Sequence, residues 1–176
     1  MTDFLSLPSH AKDGSVHVVV ESPRGSQVKL KYDPWLGAFT LSRPLVLGLR
    51  YPYDWGFVPG TRADDGDPLD AMVLFDLPTY PGLVIPCRPI GVLELTQKRK
   101  QGGGRERNDR IIAVPARARR GEALHTVDAL RKEEKEELEA FFLHAVLFED
   151  KKVRVLGWKG PKHAAQLIRR AGEAFG

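Results

Sequence analysis

Short apolar segments, broken at close intervals by turn-forming residues, constrain this chain more than any other feature. VHVVVE (16–21), VKLKY (28–32), AFTL (38–41), AMVLF (71–75), VIPCR (84–88), IGVLEL (90–95), RIIAV (110–114) and VRVLGW (153–158) are mostly rich in Val, Ile, Leu or Phe. Many are bounded by Gly, Pro, Asn or Asp and are too short for helices, so they read as strands. VKLKY alternates apolar and basic residues with period two, as a half-buried strand does. The Gly25-Ser26 step before it suits a turn. Strands at this density have to cover one another's apolar faces, in a barrel or a sandwich.

Two segments carry a helical period instead. In KEEKEELEAFFLHAVLF (132–148), Leu138, Phe141, Phe142 and Ala145 recur at three- and four-residue steps, with Glu and Lys crowding the other face. In PKHAAQLIRRAGEAF (161–175), Pro161 sits where a first helical turn tolerates it. Leu167, Ile168, Ala171 and Phe175 are expected to form its packed stripe. A length of 176 residues suits one domain, 1–176, with a real core. A hydrophobic content of 42% with 28% charged residues is the profile of a soluble globular protein. No apolar run reaches membrane-spanning length, which argues against a membrane partner. A lone cysteine, Cys87, excludes an internal disulfide, and the N-terminal stretch has no secretory pattern, so the expected location is cytoplasmic. The net charge of +4 suits an anionic partner without naming one.

RADDGDPLDAMVLF (62–75) sets the chemical problem. Asp64, Asp65, Asp67 and Asp70 fall within seven residues, directly before an apolar run that wants to be buried. Carboxylates gathered this way either cap backbone N–H groups on a solvated turn or are held together by cations. The spacing and the terminal Glu of an EF-hand are missing. Glu21 ends one expected strand, Lys29 and Lys31 share a face of the next, Arg43 follows a third, and Tyr51 and Tyr53 precede the acidic loop. Acidic groups for metal, basic groups for oxyanions and phenols for hydrogen bonding suit a metal–phosphate ligand.

KRKQGGGRER (98–107) stands apart, with five basic residues, three consecutive glycines and no apolar residue. It is expected to be a mobile, solvated loop between two strands. No Gly-Lys-Ser/Thr follows the glycines, so it is not a phosphate-binding P-loop.

The chain resembles the soluble family I inorganic pyrophosphatases. Their acidic signature, Asp-x-Asp-Pro-x-Asp, stands here as Asp65-Gly66-Asp67-Pro68-Leu69-Asp70. The resemblance continues through YPGLVIPCRPIGVLEL and IIAVP and resumes at FFLH and GW, covering most of the chain. It implies an α+β, mainly β fold: a five-stranded, OB-like closed barrel with two flanking helices. It also implies a homo-oligomer, commonly a homohexamer, and Mg²⁺-dependent hydrolysis of pyrophosphate, with Mn²⁺ as a substitute. Glu21, Asp65 and Asp70 match metal-ligand or active-site carboxylates of the family, and Asp67 matches the general base toward the attacking water. Lys29 and Arg43 match phosphate-binding cations, and Tyr51 an active-site tyrosine.

Several positions depart from the pattern. Lys31 stands where the family has a glutamate, Trp55 where it has a second tyrosine, and Ala145-Val146 where it has a Tyr-Lys pair. Arg110 replaces a lysine and keeps its charge. Two metal-ligand aspartates become Gln97 and Asn108, although Asp109 is one residue from the second position. Taken by themselves, Lys31 and the two amides shift the site by four positive charge units, two from the lysine and one from each amide. Lost ligand charge weakens the binding of additional cations. The expectation is therefore slow hydrolysis of pyrophosphate, with Lys31 as a fixed positive charge. Two alternatives are a repurposed relative that binds phosphate, a nucleotide, another phosphoanhydride or a partner protein, and nucleic-acid binding through the barrel and the basic loop. The basic loop contains no aromatic residue for base stacking, which argues against nucleic acid.

Overall fold

Five strands close into a ring because one long strand pairs at both ends of the series. The computed structural model describes residues 3–117 and 123–176. Strands β1 (Val16–Ser22), β4 (Asp54–Val58), β5 (Leu69–Val73), β8 (Arg110–Pro115) and β6 (Val84–Lys98) pair in that order. Antiparallel pairing of β6 with β1, through Val16 to Val19, closes the ring. All its pairings are antiparallel except that of β5 with β8. Strands β7 (Arg105–Arg107) and β9 (Arg154–Lys159) pair with β6, and β2 (Val28–Asp33) and β3 (Ala38–Pro44) form a separate hairpin. Helices α1 (Lys132–His144) and α2 (Pro161–Phe175) flank the sheet. The five-strand closed ring and two helices agree with the expected fold class.

Both faces of the wall are buried, which explains why β5 and β8 read as unbroken apolar runs. Ala71, Val73, Ile111 and Ala113 belong to one packed cluster, with Ala164, Ile168 and Ala171 of α2. Met72, Leu74, Ile112 and Val114 alternate with them and belong to a second, with Leu138, Phe141 and Phe142 of α1. The packed face of α2 is shifted from the expected one: Ala164 is buried and Phe175 is exposed.

Other differences have local causes. The expected strands 84–88 and 90–95 are one strand, β6, which passes Pro89 by a bulge opposite Ala113 and Ile112. Strand β4 escapes the sequence reading because Asp54 and Gly56 break its apolar pattern. Asp54 is buried and accepts bonds from the Arg24 N–H (2.9 Å) and the Thr79 hydroxyl (2.8 Å). The 98–107 segment is not a free loop throughout, since Lys98 ends β6 and 105–107 form β7. Helix α1 stops at His144, before the expected 148. Among the described residues no helix is long and apolar enough to cross a membrane.

Gly56 marks where β4 and β1 come closest, because a Cβ placed there would lie 1.8 Å from the Val19 carbonyl oxygen. Gly56→Ala is expected to force β1 and β4 apart and to cost about 3 kcal/mol or more. Denaturant unfolding of the variant checks this, and wild-type stability would contradict the close approach.

Candidate active site

The acidic loop is folded by its own residues. Gly66, at φ 85°, takes a left-handed turn that favours glycine. Its N–H donates to the Ala63 carbonyl at 3.0 Å, and the Asp67 N–H donates to Asp65 Oδ1 at 3.1 Å. The buried Thr61 hydroxyl accepts from the Leu69 N–H at 3.0 Å and holds the start of β5. Asp70 then falls on β5 directly opposite Arg110 of β8.

Other elements bring the remaining groups to this loop. Glu21 is the residue at which β1 slips register against β4, between Val20 and Ser22, a bulge that re-aims its side chain. Its Oε1 accepts from the Tyr32 N–H at 2.7 Å. Lys29 lies opposite Arg43 across the β2–β3 hairpin. Glu21, Lys29, Lys31, Asp65, Asp67, Asp70 and Arg110 all line one cavity of about 230 Å³. Arg43 and Tyr51 line a smaller adjoining cavity of about 30 Å³, which shares Lys29, Gln97 and Arg110 with the first. All nine sequence-selected residues thus line two cavities with walls in common.

The substituted positions are there too. Gln97 and Asn108 line the main cavity, with the Asn108 amide donating to Gln97 Oε1 at 2.8 Å. Asp109 does not. It accepts from the Leu95 N–H at 3.0 Å and pairs with Arg107 at 2.9 Å, beside a different cavity. Asn108, not Asp109, therefore stands at the site. Arg110 donates to Asp70 and to Asn108, and its guanidinium lies 5.1 Å over Trp55 and 5.7 Å over Phe142. Its Nε is buried without a partner. A planar guanidinium suits an aromatic floor better than an ammonium, so Arg110 and Trp55 work as a pair. Ala145 and Val146 line the small cavity with apolar groups.

Lys100 and Lys151 are lining residues that sequence reading passed over. Lys100 belongs to the basic segment taken for solvated loop, where only its charge was a signal. Lys151 carried none, and Glu149, between it and Arg43, pairs with both. A larger cavity of about 740 Å³ shares Asp65 and Lys100 with the main cavity, and another of about 370 Å³ lies beside Glu94, Arg107 and His163. Arg107 pairs there with Glu94 at 2.6 Å, and His163 Nε2 lies 3.3 Å from the same carboxylate.

Crowded like charges and burial perturb the carboxylates. Burial pushes Glu21 up to about 7, with a further push from Asp70, against the bond from Tyr32 N–H. Burial, and then Asp70, also raise Asp65. Burial raises Asp67 as well, but Lys31 and Lys100 together outweigh it and hold the carboxyl below its usual range. Burial lowers Lys29 and keeps the Tyr51 hydroxyl protonated. Among the described residues no three His, Cys, Asp or Glu side chains gather as a preformed metal cluster. Asp65 and Asp70 fit one hard cation, since Mg²⁺ usually takes only one or two protein carboxylates and completes its shell with phosphate and water.

A closed β-ring whose cavity sets aspartates against lysines and an arginine suits a ligand with several oxyanions. The family model for inorganic pyrophosphatase matches residues 18–175. An inorganic pyrophosphatase from Synechocystis sp. is 40% identical over 157 residues, 89% of each chain. One from Nostoc sp. is 38% identical over 173 residues, 98% of this chain and 99% of that one. The crystal structure of inorganic pyrophosphatase from Thermus thermophilus superposes with a TM-score of 0.90 at 35% identity, over 99% of both chains. The chain belongs to the inorganic pyrophosphatase family.

Glu21 yields a pH prediction. Unfolded, it ionises near 4.5, whereas in the fold it holds its proton to about 7. Rising pH thus favours the unfolded chain across that window, removing up to about 3 kcal/mol of stability and levelling off above it. Glu21→Gln should lack this loss. Denaturant unfolding of both proteins in chelator from pH 4.5 to 8 checks it, and parallel curves would contradict it.

Proposed function

We propose that this chain is an inorganic diphosphatase that hydrolyses pyrophosphate to two phosphates with Mg²⁺, accepts Mn²⁺, and turns over slowly. The observation that carries this reading is the convergence of Asp65, Asp67 and Asp70 with Lys29, Lys31 and Arg110 on one cavity. In this reading Asp65 and Asp70, with Glu21 beside them, hold the cation. Bound Mg²⁺ supplies neutralisation of phosphate charge and a more acidic attacking water. Lys29, Lys31, Arg43 and Arg110 take phosphate oxygens and hold the diphosphate for in-line attack. Tyr51, protonated and buried, donates a hydrogen bond. Asp67 accepts the proton of the water that attacks one phosphorus. The bridging P–O bond breaks, and its electron pair leaves with the second phosphate.

Slowness follows from charge. Gln97 and Asn108 offer neutral amides, and Lys31 a cation, to a region where additional ions need carboxylates. Lys31 also pairs with Asp67 at 3.4 Å, which makes that carboxylate a weaker base. Exposed Trp35, Leu47 and Phe148 support assembly into a homo-oligomer, a hexamer by family habit, which sedimentation would test.

Phosphate release from pyrophosphate with Mg²⁺ is the direct assay. Asp67→Asn is expected to lower kcat about a hundredfold, and an unchanged rate rejects the assignment. Combining Lys31→Glu, Gln97→Asp and Asn108→Asp is expected to raise both Mg²⁺ affinity, read by calorimetry, and turnover. No gain in either would break the link between these residues and metal binding.

A further inference from the structure

The basic hairpin is the one sequence feature that the reaction above does not use. Its base is anchored on both sides. Arg105 donates to the Thr96 hydroxyl at 3.0 Å and to the Lys152 carbonyl at 2.6 Å, and Gln97 donates to Glu106 at 3.0 Å. The Lys98 N–H donates to the Lys151 carbonyl at 2.7 Å. A base held this way directs the residues beyond it toward the acidic loop. The Lys100 ammonium lies 3.5 Å from Asp67 Oδ2, and that of Lys31 lies 3.4 Å from the same oxygen. The main cavity then carries five cations, Lys29, Lys31, Lys100, Arg110 and Lys151, against Glu21 and the three aspartates.

We propose that Lys100 is a substrate-positioning residue that acts with Lys31 as a built-in counter-charge, so that the site binds pyrophosphate before, and without, a metal ion. This rests on the reading of the main cavity as the pyrophosphate site. The two lysine side chains are 63% and 50% exposed, and ion pairs that wet contribute little. Neither ammonium is therefore committed to Asp67. A diphosphate carries several negative charges on closely spaced oxygens and draws both away from a single carboxylate. Asp67 already faces Lys31 and Lys100, and Asp70 faces Arg110, so two of the three aspartates meet the added anion with a cation beside them. Where relatives in the pattern present further carboxylates that demand metal first, this chain presents Gln97, Asn108 and a lysine-tipped hairpin.

Calorimetric titration with imidodiphosphate, a non-hydrolysable diphosphate, in excess EDTA tests this directly. The wild-type protein should bind it. Lys100→Ala should weaken that binding about tenfold, and Lys100→Arg should restore most of it. Lys98→Ala, on the same hairpin but paired with Asp150, should leave it unchanged. Equal losses from Lys98→Ala and Lys100→Ala would mean diffuse charge and overturn the proposal. So would unchanged binding by Lys100→Ala. Wild-type binding that requires Mg²⁺ overturns the proposal and leaves the proposed function standing. No binding with or without Mg²⁺ overturns both. Thermal unfolding of each variant, expected to match wild type because the tip is exposed, separates these outcomes from misfolding.

Discussion

The ion pair between Asp70 and Arg110 joins the barrel wall to the chemistry. The two residues face each other across the parallel β5–β8 pair, and Arg110 also stands opposite Leu93 of β6. Buried charge is costly in a protein interior unless it is paired and hydrogen-bonded. Here Asp70 and Asn108 satisfy one nitrogen of Arg110, and Trp55 and Phe142 supply an aromatic floor. Losing one partner of such a pair costs about 3–5 kcal/mol, because the other charge is stranded. The pairing of β5 with β8 sets these two charges together and brings the last aspartate of the loop to the edge of the cavity.

Exchanges in the site are physically linked. An arginine in place of a lysine needs a flat surface, and Trp55 provides one. Gln97 and Asn108 satisfy each other and their neighbours, so the pair of amides costs no buried hydrogen bond. Lys31 places a positive charge where the family pattern has a glutamate, and Lys100 adds another beside Asp67. The outcome is a cavity balanced mainly by its own side chains.

Much of the fold was legible because its signals are local. The apolar runs of β5 and β8, the turn residues, and the three- and four-residue steps through Leu138, Phe141 and Phe142 each follow from what a strand or helix must bury. Strand β4 was not, since Asp54 looks polar until Arg24 and Thr79 are placed beside it. The basic segment was misjudged for the same reason: its pairing with β6, and the reach of Lys100 to Asp67, depend on chain far away.

The carboxylates of the acidic loop, their spacing around Gly66 and Pro68, and the cations available to them are properties of the sequence itself. So is the excess of positive charge over the family pattern, because charge is carried by residue type. Which of these groups meet was decided only in three dimensions. A bulge aims Glu21, strand pairing sets Asp70 against Arg110, and a one-residue alternation sends Asn108 to the cavity and Asp109 away from it. Side chains on a strand switch faces at every residue, so their direction rests on register, and register comes from partners distant in the chain.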